Sequence, residues 1–113
     1  MARYVVRVRT PMPPAEAFAY LADLTNFAEW DPGVDRVEQV EGDGAGLGAV
    51  FDVAVKVPGS TMTLRYDTVA FDEGSTTMTA VAQNALLTSE DTITVEADGD
   101  GSVATYDAEL KLK

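Results

Sequence analysis

The chain has 113 residues and a mass of 12.0 kDa, enough for one domain around one core. Hydrophobic residues make up 46% and charged ones 24%, a globular composition, and 19 acidic against 8 basic residues give a net charge of −11 that would repel a nucleic-acid backbone or an anionic membrane. Cysteine and histidine are both absent, which excludes disulfides, thiolate or imidazole metal sites, a cysteine nucleophile and any histidine-based triad, so neither metal nor cofactor is expected.

From Tyr4 to Thr10 apolar and polar residues alternate, apart from Val5, as in a half-buried strand. Arg3, Arg7 and Arg9 then fall on its solvent face. Pro11-Met12-Pro13-Pro14 ends the ladder and pre-sets a helical first turn. Ala15, Phe18, Ala19, Leu21 and Ala22 recur at helical spacing, with Glu16 suited to the positive end. Asp23 and Thr25 interrupt, and Asn26 to Trp30 predicts a second short helix closed by Asp31-Pro32-Gly33.

Beyond Gly33 the period becomes two. Strands are expected over Val34–Val40, Ala49–Val57, Thr61–Phe71, Thr76–Gln83, Leu86–Ala97 and Val103–Leu112, with turns at Pro58-Gly59, Asp72-Glu73-Gly74, Asn84-Ala85 and Asp98-Gly99-Asp100-Gly101. The longest apolar runs fall far short of a membrane span, and the first residues lack the apolar stretch of a secretory leader. An acidic, thiol-free chain of this kind is most simply cytoplasmic.

Two motif-like pieces lose their meaning in context. Gly44-Ala45-Gly46-Leu47-Gly48-Ala49 fits a loose dinucleotide fingerprint, but a strand follows it where a helix N-terminus would have to bind phosphate. Asp98-Gly99-Asp100-Gly101 offers only two carboxylates between strands, which makes a hairpin and not a calcium loop.

Asp91 is more informative. It shares the parity of Leu87, Ile93 and Val95, so in an unbroken strand it points to the concave side. There it is either a general acid or an anchor for a ligand hydroxyl; alternatively a bulge or a wet barrel mouth leaves it an ordinary aspartate. Phe18, Phe27 and Trp30 belong to the helices, and Phe51, Tyr66 and Tyr106 to the apolar faces of their strands. These aromatics either pack the core or line a site whose tyrosine hydroxyls orient a greasy ligand.

The run Pro14-Ala15-Glu16-Ala17-Phe18-Ala19-Tyr20-Leu21-Ala22-Asp23, then Asn26-Phe27-Ala28-Glu29-Trp30-Asp31-Pro32, follows directly on a first strand. Downstream stand Ser89 to Glu96 and Thr105 to Leu110. In order and spacing this resembles the START/SRPBCC superfamily, particularly its polyketide cyclase/dehydrase-like branch. The resemblance implies an α+β helix-grip fold over residues 1–113, a curved seven-stranded antiparallel sheet with two short helices, an apolar cavity, and a long C-terminal helix. The sequence ends at Leu110-Lys111-Leu112-Lys113, where that helix would begin.

Without it, the concave face is expected to meet water through Phe51, Val53, Val55, Met62, Leu64, Tyr66, Met78, Ala80, Ile93, Val95, Ala104, Tyr106 and Leu110. Either the chain is a fragment or something covers that face, for which a homodimer packed concave face to concave face is one arrangement. The leading expectation is a binding domain for a small apolar or amphipathic ligand such as a lipid or polyketide, in a cavity formed by Phe18, Phe27, Trp30, Phe51, Val53, Val55, Met62, Leu64, Tyr66, Met78, Ala80, Asp91, Ile93 and Tyr106, with Phe18 and Trp30 plugging its throat. The alternatives are a polyketide cyclase/dehydrase-type enzyme, whose catalytic candidates are Asp91, Tyr66 and Tyr106, and a protein-interaction module that uses the uncovered sheet face. Arg65, the one arginine on a later strand past the second, turns outward by parity.

Overall fold

The computed structural model of the protein describes residues 2–113. Strand β1 (Ala2–Thr10) leads into helix α1 (Pro14–Ala22), a 3-10 turn (Leu24–Asn26) and helix α2 (Phe27–Trp30). Six strands follow: β2 (Val34–Glu41), β3 (Val50–Val57), β4 (Ser60–Asp72), β5 (Thr77–Gln83), β6 (Leu87–Asp98) and β7 (Gly101–Leu112). They form a seven-stranded antiparallel sheet in the order β1-β7-β6-β5-β4-β3-β2.

That order explains where the helices lie. β1 and β2 are consecutive strands on opposite edges, so the chain between them must cross the sheet. It crosses on the concave side as α1 and α2, which bury Ala17, Phe18, Ala22 and Phe27. Pro14 occupies the first turn of α1, where its missing N–H costs no helical bond. Asp23 ends the helix in extended backbone and caps the next turn, its Oδ1 accepting from the Thr25 N–H at 3.1 Å and from Thr25 Oγ1 at 2.7 Å. Asn26 Nδ2 donates to the Tyr20 carbonyl at 3.0 Å, which ties the turn back onto α1.

Side-chain alternation then sorts the sheet. Phe51 and Val53 from β3, Leu64 and Tyr66 from β4, Met78, Ala80 and Ala82 from β5, and Ile93 and Val95 from β6 face the helices and form the core. The outer face is polar and carries cross-strand ion pairs. Arg65 meets Asp52 through two hydrogen bonds of 2.8 and 3.0 Å, and Arg3 meets Asp107 likewise. These exposed pairs favour register more than stability.

One irregularity redirects an aromatic. Between Thr68 and Ala70 the β4–β5 register shifts by one residue, a bulge at the exposed Val69. Strict alternation would turn Phe71 outward; after the bulge it turns inward, and its ring lies 5.3 Å from that of Phe18.

Most of the concave face is not left to water, contrary to expectation. Phe51, Val53, Leu64, Tyr66, Met78, Ala80, Ile93 and Val95 are all buried, because the two crossing helices fill the hollow of the curved sheet. Val55, Met62, Ala104, Tyr106 and Leu110 remain half-buried at the margins. Most of the apolar face expected to meet water is thus packed within the one chain. Among the described residues no helix is long and apolar enough to cross a membrane.

Asp98 pairs with Gly101 across a two-residue turn, with Gly99 at a φ of +58°. Gly101 itself passes under the end of β1: a Cβ there would stand 2.2 Å from the Thr10 carbonyl oxygen and 3.1 Å from Pro11 Cα. Replacing Gly101 by Ala should lower stability by about 1–3 kcal/mol through this overlap with backbone. Gly99→Ala, facing open space, should cost roughly 1 kcal/mol for its left-handed backbone alone. Urea unfolding of the two variants beside the parent checks the order.

Candidate functional site

The β6 register is unbroken against both neighbours, so Leu87, Ser89, Asp91, Ile93 and Val95 all face inward. Asp91 is thereby carried beneath the helices with only 3% of its surface exposed. Ser89, two residues earlier on the same face, donates its Oγ–H to Asp91 Oδ1 at 2.5 Å. Tyr106, from the adjacent strand β7 and diagonal to Asp91, donates its hydroxyl to Oδ2. The Tyr66 hydroxyl approaches from β4 and acts on both Asp91 and Tyr106.

Burial raises the Asp91 pKa above the ordinary carboxylate range, and the hydroxyls of Ser89, Tyr106 and Tyr66 pull the other way without cancelling it. Tyr66 is pushed well above the usual phenol range by burial first and by the neighbouring Asp91 charge second. Tyr106 moves the same way, through burial and then through Tyr66 and Asp91. Neither tyrosine is a base near neutral pH; both are hydrogen-bond donors. No arginine or lysine enters the cluster, since Arg3 and Arg65 are engaged on the outer face.

Phe27 roofs this cluster. Its ring packs edge-on to Tyr66 at 5.8 Å and to Tyr106 at 6.0 Å, and stacks on Trp30 at 4.7 Å. Trp30 in turn meets Tyr106 at 5.4 Å with the planes 75° apart.

Beside the roof lies an apolar cleft of about 300 Å³, bounded by β1, β7, α1 and the Trp30–Pro32 segment. Tyr4, Val6 and Val8 supply one wall, Ala104, Tyr106 and Ile93 the floor, and Met12, Leu21 and Trp30 the opposite side. Asp31 adds a carboxylate to the lining, which has no lysine or arginine. The Trp30 indole N–H is buried with no acceptor among the described residues.

Of the residues expected to line a cavity, Trp30, Ile93 and Tyr106 do so here. Phe18, Phe27, Phe51, Val53, Leu64, Tyr66, Met78 and Ala80 are spent on the closed core, and Asp91 lies behind Tyr106 instead of on the cleft wall. Val55 and Met62 pack at the partly buried margin of that core. Phe18 and Trp30 do not form one plug: the bulge in β4 gives Phe18 to Phe71, while Trp30 closes on Phe27 and Tyr106. Tyr4, Val6, Val8, Met12, Leu21 and Asp31 were absent from the expected lining. The alternation of β1 does put Tyr4, Val6 and Val8 on the inner face; what it lacks is any sign that this end of the sheet stays uncovered.

In architecture the chain is similar to three solved structures. The Zhui aromatase/cyclase from Streptomyces sp. R1128 aligns with a TM-score of 0.80 at 16% identity, over 99% of this chain and 68% of that one. Major latex-like protein 151 from Panax ginseng aligns at 0.76 and 13%, over 98% and 79%. A START superfamily protein from Mycobacterium smegmatis aligns at 0.76 and 11%, over 98% and 77%. No curated protein matches the chain by sequence. The helix-grip fold of the START/SRPBCC superfamily is thus matched in space, and the family model described as polyketide cyclase / dehydrase and lipid transport matches residues 1–112: the chain belongs to that family.

Proposed function

We propose that the protein binds a small apolar or amphipathic molecule in the cleft between β1, β7 and α1. The observation that carries this reading is the cleft itself, about 300 Å³ with a lining dominated by Tyr4, Val6, Val8, Leu21, Ile93 and Ala104. That is the lower end of the volume range of small-molecule sites, and a mostly apolar wall with few polar groups is their usual composition. Affinity would come from burial, at roughly 25 cal/mol per Å² of apolar surface. Orientation would come from the few polar groups of the lining, among them Thr10, Tyr20 and Asp31. A lipid or polyketide chain has this mixed character.

The cyclase/dehydrase reading draws on the family name and on the Asp91–Tyr106 pair. Such chemistry needs a base beside a carbonyl and a donor for the enolate. Here the carboxyl is screened from the cleft by Tyr106, and both tyrosines are held protonated. The arrangement favours binding over turnover.

Trp30 is the only tryptophan and lines the cleft, so intrinsic fluorescence reports occupancy directly. Titration with the uncharged probe N-phenyl-1-naphthylamine should change Trp30 emission saturably. Ala104→Phe, which fills the floor, should weaken binding at least tenfold while circular dichroism stays that of the parent. Unchanged emission in the parent, or equal binding by the filled variant, contradicts the reading.

A second expectation concerns acidity. A carboxyl whose folded pKa is raised keeps its proton in the folded state over a window where the unfolded chain has lost it. Between an unfolded value of about 3.9 and that raised value, rising pH therefore favours unfolding, by up to about 1.4 kcal/mol per pH unit. Asp91→Asn removes this slope. Its stability relative to the parent should be lowest below about pH 4 and climb as pH rises above it, measured by urea unfolding across pH.

A further inference from the structure

Every charged side chain that lines the cleft is a carboxylate, namely Asp31 alone. One of its oxygens accepts the Gly33 N–H at 2.8 Å, and no lysine or arginine among the described residues pairs with it. Its negative charge is felt as far as Asp91, Tyr66 and Tyr106, where it adds to the burial that holds their protons. Nearby, Tyr20, another lining residue, donates its hydroxyl to Glu29 Oε1 at 2.8 Å. The cleft thus opens into uncompensated negative potential, on a chain whose net charge is −11.

The rings are set to use that potential. Trp30 stands 75° from Tyr106, and Tyr4 stands 71° from Tyr106 at 6.4 Å between centroids. These edge-to-face contacts line the cleft with aromatic surface, and ring faces carry the negative lobe of the aromatic quadrupole. Tyr4 is 59% exposed, so its ring presents open surface on this wall. A sulfate or carboxylate head would find neither a cation nor a helix N-terminus in this lining; an ammonium head finds three rings and Asp31.

We propose that the ligand is an amphiphile with a cationic head, a protonated amine or quaternary ammonium, seated against Tyr4, Trp30 and Tyr106 beside Asp31 with its apolar part along Val6 and Val8. This rests on the reading of the cleft as a small-molecule site. It specifies the ligand class: cationic and lipophilic, in preference to neutral or anionic.

Three probes with the same chain, octyltrimethylammonium, octyl glucoside and octyl sulfate, should be titrated below their micelle concentrations against the full chain by Trp30 fluorescence and calorimetry. The cation should bind about tenfold more tightly than the glucoside, as expected for a cation on desolvated rings, and the sulfate least. Asp31→Asn retains an oxygen for the Gly33 N–H and should shrink the cation-to-glucoside ratio severalfold. Asp100→Asn, in the β6–β7 turn, makes the same change in net charge and should leave that ratio as in the parent. Equal binding of cation and glucoside overturns the proposal and leaves the cleft reading standing. A ratio that falls equally in both variants also overturns it, because general attraction to an acidic surface then suffices. Binding of none of the three removes the proposal and the cleft reading together.

Discussion

A carboxyl group is buried on the covered face of the sheet, and the structure around it is organised by the need to satisfy it. Left bare at 3% exposure, Asp91 would cost several kcal/mol whether charged or neutral. It is satisfied from two strands, by Ser89 on its own and Tyr106 on β7, with the Tyr66 hydroxyl close by on β4. Those hydroxyls fix where the two tyrosine rings stand. The rings fix the seat of Phe27, and Phe27 fixes Trp30. The position of α2 on the sheet follows from this chain of contacts, and so does the inner wall of the cleft.

The sheet order is the second constraint. Because β1 joins β7 at one edge while β2 closes the other, the intervening residues are committed to the concave side. They are few: α1 lies over β6 and β7 and α2 over β2, with the cleft between α1 and β1. The cleft is the part of the concave surface that this short crossing leaves over.

Much of this was legible in the residues. The switch of period after Gly33, the prolines before α1 and the glycine turns identify the element order, and the parity of Leu87, Ile93 and Val95 places Asp91 inward. Element ends moved by one or two residues where strands continue into their turns, as in β4 and β7, and β1 begins two residues earlier than its alternation. The second helix divides into a 3-10 turn and α2 because the Asp23 side chain caps Thr25. The inward turn of Phe71 was not legible, because a bulge leaves no mark in alternation: Val69 looks like any other strand residue. The lining of the cleft was the least legible. Parity tells which residues share a face, but whether that face is closed depends on where the helices lie, which is a property of packing across distant segments.

β1 has a further consequence for how the cleft would fill. It is an edge strand held by β7 alone, and its Tyr4, Val6 and Val8 are also one wall of the cleft. Strand edges open locally at a small fraction of the free energy of global unfolding. A guest of the proposed kind would then enter by momentary fraying of this border, with the core around Phe51 and Met78 undisturbed, and once inside it would splint the very strand that let it pass.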